Sequence, residues 1–126
     1  MISVIVPALN EEKDLGSCLK ALSRQKVDED YETIVVDGGS GDGTVRVAEE
    51  IADLVISQSS RGIGGARRDG AAAACGEKLA FTDADTIVSP DWMREISSNP
   101  TARTISCSQS PQMRTCSPMS SFSRSW

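Results

Sequence analysis

The run ISVIVPA (2–8) is β-branched and has no polar face, which a strand tolerates only where both of its sides are buried, as in a parallel sheet. YETIVVDGG (31–39) repeats the pattern, DLVIS (53–57) is a shorter third strand, and EKLAFTDAD (77–85) a fourth. Helical spacing fills the gaps between them. Leu15, Cys18, Leu19 and Leu22 share one helical face, with Asn10 expected as its N-cap and Glu11 and Glu12 in its first turn. Val47, Ala48, Ile51 and Ala52 share another, while RGIGGARRDGAAAACG (61–76) is expected to begin as a glycine-rich loop and become an alanine-rich helix. Strand and helix in alternation, joined by short loops, predict an α/β fold with a mainly parallel sheet flanked by helices and right-handed crossovers.

Several function classes fall away at once. The 126 residues contain no histidine, which removes Ser-His-Asp triads, Cys-His pairs and nearly every imidazole zinc site. A net charge of -5 argues against a nucleic-acid backbone as partner, because that binding runs on clustered Lys and Arg. Cys18, Cys75, Cys107 and Cys116 show no CxxC spacing, so they are expected to be reduced, with Cys18 and Cys75 as small core residues and a cytosolic setting as the default. No stretch approaches the length of an apolar membrane span, so any membrane contact is expected to be peripheral.

The groups that could do chemistry sit where the predicted strands end. Asp83 and Asp85 lie one residue apart, and in an extended segment both would face the same side and repel each other unless a cation lay between them. Mg²⁺ or Mn²⁺ suits such a pair, since these ions take hard oxygen ligands and complete their shells with phosphate and water. Taken alone, a DxD is more often two solvated acids in a loop. Asp37 closes the second strand before the turn GGSGDGT (38–44), and ligands of open α/β sheets bind beyond such strand ends. Glycines needing φ > 0 and Asp42 as a cap explain that turn equally well. Pro7, Ala8, Asn10 and Glu11 follow the first strand and could wrap a nucleobase, although a strand stop and a helix cap account for them too. Arg61, Arg67 and Arg68 concentrate positive charge beside backbone amides, which suits a diphosphate.

In this order, SVIVPALNEEKDLGSCLKAL, IVVDGGSGDGT, ARRDGAAAACG and LAFTDADTIVSPDW closely resemble the nucleotide-sugar-binding half of family 2 glycosyltransferases, over roughly residues 1–96. The resemblance implies a Rossmann-like GT-A fold and transfer of a hexose-type sugar from a UDP- or GDP-linked donor, with inversion and with Mg²⁺ or Mn²⁺ as cofactor. It also implies roles. Pro7, Ala8, Asn10 and Glu11 would surround the nucleoside, Asp37 would contact the base, and Arg67 would approach the diphosphate. Asp83 would tend toward ribose and metal, and Asp85 toward the metal. Asp69 stands where the family often has Asn.

The resemblance stops short of a catalytic base, so no catalytic residue is assigned. Residues 97–126 hold ten serines and no Asp or Glu, and they are expected to form an irregular tail. A donor-binding fragment without the acceptor half, truncated or frame-shifted, is therefore one expectation. Two alternatives stand beside it: a non-catalytic nucleotide-sugar-binding remnant, and a haloacid-dehalogenase-like phosphatase, whose DxDx[T/V] pattern FTDADTIV also fits. The phosphatase pattern usually lies near the N-terminus with a lysine downstream, and here no lysine follows Lys78.

Overall fold

A computed structural model describes residues 1–98. The tail expected from residue 97 lies outside these beyond Ser98, and so do Cys107 and Cys116. Four strands, β1 (Ile2–Ala8), β2 (Tyr31–Asp37), β3 (Leu54–Ser57) and β4 (Lys78–Phe81), alternate with α1 (Leu15–Ser23), α2 (Thr44–Ile51) and α3 (Gly62–Ala73), and α4 (Trp92–Ser98) follows. Every strand pairing is parallel, in the order β3-β2-β1-β4. The expected α/β architecture is therefore present.

The absence of a polar face in β1 now has its cause, because all seven of its residues are buried. Ile2, Val4, Val6 and Ala8 pack toward Leu15, Cys18, Leu19, Leu22, Ala48 and Met93, whereas Ile5 joins Ile34, Val36, Leu79 and Ala66 of α3 on the opposite side. Each strand residue thus feeds one of two cores according to its parity. Contact on the α3 side is very close. A Cβ placed on Gly70 would lie 2.5 Å from Ile5 Cγ2, so only glycine lets this helix settle onto the sheet.

Two polar clusters lock the end of the sheet away from the strands' carboxyl termini. Buried Glu32 accepts bonds from Ser3 Oγ at 2.6 Å and from the Cys75 N–H at 2.8 Å, while Ser3 Oγ accepts the Gly76 N–H. Glu29 takes the Met1 amino group at 2.9 Å, Lys78 Nζ at 3.3 Å and Ser97 Oγ at 2.7 Å, tying α4 to the base of β4.

Three local expectations need correction. Helix α1 starts at Leu15 with Asp14 in the capping position, and Asn10 instead adopts φ 54°, a left-handed conformation that Asn tolerates better than most residues. The stretch GIGG (62–65) is already helical and not a loop. Cys18 is free and buried as expected, but Cys75 is half-buried and disulfide-bonded, so the cytosolic expectation loses that support.

Candidate functional site

The strand order carries the site. From β1 the chain moves outward through β2 to β3, and α3 then returns it across the sheet to β4 on the other flank of β1. Connections leaving β1 and β4 consequently diverge, and a crevice opens beyond their carboxyl ends, the usual ligand site of an open α/β sheet. It is a cleft of about 530 Å³, walled by Pro7 and Ala8 at the end of β1, Leu9 and Glu11 after it, Gly38 after β2, Gln58 after β3, Gly62, Ile63 and Ala66 of α3, and Asp83, Ala84 and Asp85 after β4.

Of the residues singled out in the sequence, Pro7, Ala8, Glu11, Asp83 and Asp85 therefore line one cleft. Asp83 and Asp85 sit on a turn, because β4 ends at Phe81, and both are exposed while Ala84 between them is buried at 3%. The turn rests on α1, where the Cys18 Sγ–H donates to the Asp83 carbonyl at 3.5 Å, and it is closed by the Thr86 N–H donating to that same carbonyl at 3.1 Å. Partial desolvation, then the negative charge of Asp85, Asp14, Asp42 and Asp83, raises the Glu11 carboxyl above the ordinary glutamate range. Burial, then Asp85 and Asp83, pushes the Cys18 thiol up to about 11. The donor set thus consists of hard oxygens, with the one nearby sulfur kept protonated. That chemistry fits Mg²⁺ or Mn²⁺, and among the described residues no group of three or more His, Cys, Asp or Glu forms a closed protein cage. A metal ion held there by two carboxylates would take its remaining ligands from phosphate and water.

Asn10 and Asp37 are placed differently from their expected roles. Asp37 is 8% exposed, and its carboxylate accepts the Gly39 N–H at 3.0 Å, the Ser40 N–H at 3.2 Å and the Ser40 hydroxyl at 2.6 Å. It shapes its own loop, and Gly38 presents that loop to the cleft. Asn10 donates its N–H to Ser40 Oγ and accepts the Gly41 N–H on Oδ1, both at 2.9 Å. Further bonds extend this seam. The Glu11 N–H donates to Thr44 Oγ1 at 2.9 Å, the Gly43 N–H to Glu12 Oε1 at 3.2 Å, and Thr44 Oγ1 to Asp42 Oδ1. Asp42 also accepts the Thr44 N–H at 3.0 Å, although Gly43 and not Asp42 holds the capping position of α2. The two motifs PALNEE and DGGSGDGT hold each other in place.

Arg67 stands exposed on α3 with its guanidinium 5.9 Å from the centre of the Phe81 ring, outside the cleft lining. Asp69 anchors the loop after β3, accepting the Ser59 and Ser60 N–H groups at 2.6 and 3.0 Å, and these bonds hold its carboxyl below the ordinary aspartate range. Sequence reasoning missed Gln58, Ile63 and Ala66 as cleft residues. Gln58 directly follows a strand that ends beside Asp37, and that position was the available signal.

The sequence profile of glycosyl transferase family 2 matches residues 3–98. Glycosyltransferase AglE of Haloferax volcanii is 33% identical over 99 residues, covering 73% of this chain and 33% of that protein. Glucosyl-3-phosphoglycerate synthase from Mycobacterium tuberculosis, solved with Mn²⁺, UDP and glucosyl-3-phosphoglycerate, superposes with a TM-score of 0.68 at 31% identity, covering 81% of this chain and 39% of that one. The mannosyltransferase PcManGT from Pyrobaculum calidifontis, solved with GDP-Man and Mn²⁺, gives a TM-score of 0.66 at 29% identity, over 76% and 31% of the two chains. This chain spans about a third of the length of such relatives.

Proposed function

The chain belongs to glycosyl transferase family 2, and from that premise we propose that its cleft binds a nucleoside diphosphate sugar, UDP- or GDP-linked, as the donor for sugar transfer. One observation carries the reading: Asp83 and Asp85 share a single cleft with Pro7, Ala8 and Glu11, at the point where the strand order reverses. The structures solved with UDP or GDP-Man and Mn²⁺ support the same ligand class.

Asp83 and Asp85 would hold Mg²⁺ or Mn²⁺, which when bound neutralises the diphosphate and stabilises it as a leaving group. Ala8, Pro7 and Leu9 supply an apolar wall for the nucleoside. Asp37 and Asn10 serve the donor through the loops they hold, and Arg67 brings positive charge to the flank of the diphosphate. Transfer with inversion follows the family resemblance. The cleft residues form the donor-binding part, and no catalytic base is assigned among the described residues. A non-catalytic binding module is the second reading.

Calorimetry with UDP and GDP, with and without Mn²⁺, tests the proposal. Metal-dependent binding is expected, and no binding of either nucleotide would overturn it. Sugar release from the donor separates the two readings, since turnover excludes the non-catalytic one.

A further inference from the structure

The turn that carries Asp83 and Asp85 stands beyond the sheet. The Thr82 N–H still donates to the Ile5 carbonyl of β1 at 3.2 Å, but from Asp83 onward the backbone has left the ladder. The turn closes on itself through the bond from the Thr86 N–H to the Asp83 carbonyl. What ties it to the body of the protein is the Cys18 Sγ–H, donated from α1 to that same carbonyl at 3.5 Å. Among the described residues no other hydrogen bond joins 83–86 to another element. Ala84 gives the turn a second hold. It is buried in the core that also contains Leu15, Cys18 and Met93, while Asp83 and Asp85 on either side of it are exposed.

Resting on the donor-binding reading above, we infer that α1 is the seat of the metal turn, with Cys18 and Ala84 as positioning residues that fix the backbone from which Asp83 and Asp85 reach a divalent cation. Preorganisation is what such a seat supplies. Two carboxylates one residue apart repel each other before a cation arrives, and a turn outside the sheet relieves that repulsion by swinging open. A thiol on a packed helix opposes the swing, so less ordering is left for metal binding to drive. An S–H is a weak donor, too weak to hold a turn by itself, which is why the buried Ala84 methyl group has to share the task. Cys18 is 1% exposed and its S–H is engaged by the Asp83 carbonyl, so it acts through Asp83 and is not itself offered to the ion as a ligand.

The test is a titration of the full chain with Mn²⁺ in the presence of UDP or GDP, followed by the paramagnetic resonance signal of the ion. Cys18→Ala removes the donor and should bind Mn²⁺ about tenfold more weakly, the low end for an outer partner of a metal ligand because a thiol donates weakly. Cys18→Ser restores an O–H donor at the same place and should stay within about threefold of the unaltered chain, although a buried hydroxyl stabilises an apolar core no better than a methyl group does. Urea denaturation gives the stability of each chain, and a merely structural role would make affinity follow stability and not the presence of a donor. Ala84→Gly loosens the same turn without touching α1 and should also cost about tenfold, so it decides the matter if the Cys18 variants fail to fold. A loss under about threefold in Cys18→Ala, an equal loss in Cys18→Ala and Cys18→Ser, or unchanged affinity in Ala84→Gly overturns this seat and leaves the donor-binding reading intact. No Mn²⁺ binding by the unaltered chain with either nucleotide overturns the donor-binding reading itself, and this assignment with it.

Discussion

Asn10 Oδ1 accepts the Gly41 N–H at 2.9 Å, so one side chain in a left-handed conformation joins the loop after β1 to the loop after β2 across 31 residues of sequence. Asn10→Ala loses that bond and also places a Cβ-bearing residue without a local hydrogen bond at φ 54°. A loss of about 1–2 kcal/mol in chemical denaturation is expected. Asn10→Gly retains the conformation and loses only the bond, so it should fall between the two chains. If both variants match the unaltered chain, the seam does not stabilise the loops.

Asp83→Asn and Asp85→Asn remove carboxylates that are exposed, so thermal stability should stay within about 0.5 kcal/mol. Mn²⁺-dependent nucleotide binding should weaken at least about tenfold in each. Titrating Mn²⁺ by its paramagnetic resonance signal gives an independent readout, and retention of full metal affinity in both variants would exclude this turn as the metal site.

Glu32→Ala should destabilise by roughly 2–3 kcal/mol, because the Ser3 hydroxyl and the Cys75 N–H both lose a buried acceptor. Nucleotide affinity measured on the remaining folded chain should be unchanged, since this cluster lies at the opposite end of the sheet from the cleft. Urea denaturation and calorimetry together check both halves of the statement.

Gly70→Ala should cost about 1–3 kcal/mol by overpacking, as the new methyl group would meet Ile5 Cγ2 at 2.5 Å and Val36 Cγ2 at 3.1 Å. Ile5→Val in the same chain should recover part of the loss. A denaturation series that finds Gly70→Ala neutral would mean that α3 can lift from the sheet at little cost.

The Glu29 carboxyl is held down to about 2, first by the Met1 amino group and then by Ser97 and Lys78. A depressed carboxyl contributes stability that is complete above its unfolded value, near 4.5, and is lost as the pH falls toward 2. With its side chain 24% exposed, solvent screening limits the contribution to roughly 1 kcal/mol. Glu29→Gln should therefore flatten the fall in melting temperature between those pH values, and an unchanged acid profile would count against the ion cluster.

How far the sequence could be read divides along local and non-local lines. The buried strands were legible because ISVIVPA and YETIVV have no polar face, and α1 because Leu15, Cys18, Leu19 and Leu22 keep a helical period. Pro7, Ala8, Glu11, Asp83 and Asp85 were legible as candidates for one cleft because they end or follow strands. The roles of Asn10 and Asp37 were not, since they depend on bonds between loops far apart in sequence, or on a carboxylate turning back to its own loop. GIGG reads as a loop because glycine is a poor helix former. Its helical state rests on crowding: a Cβ on Gly65 would meet the Ser60 carbonyl carbon at 2.6 Å, so the glycine is there for close approach and not for flexibility. Gln58 had no motif around it, and its place in the cleft wall emerged only from the fold.

The reversal of strand order has one more effect. It draws the walls of the cleft from several βα junctions, while β1 and, apart from Tyr31, β2 beneath them are buried. The junctions after β1 and β2 must change together, because they bond one another, but the buried strands beneath need not, so a lineage built on this plan can change its clientele while leaving its framework alone.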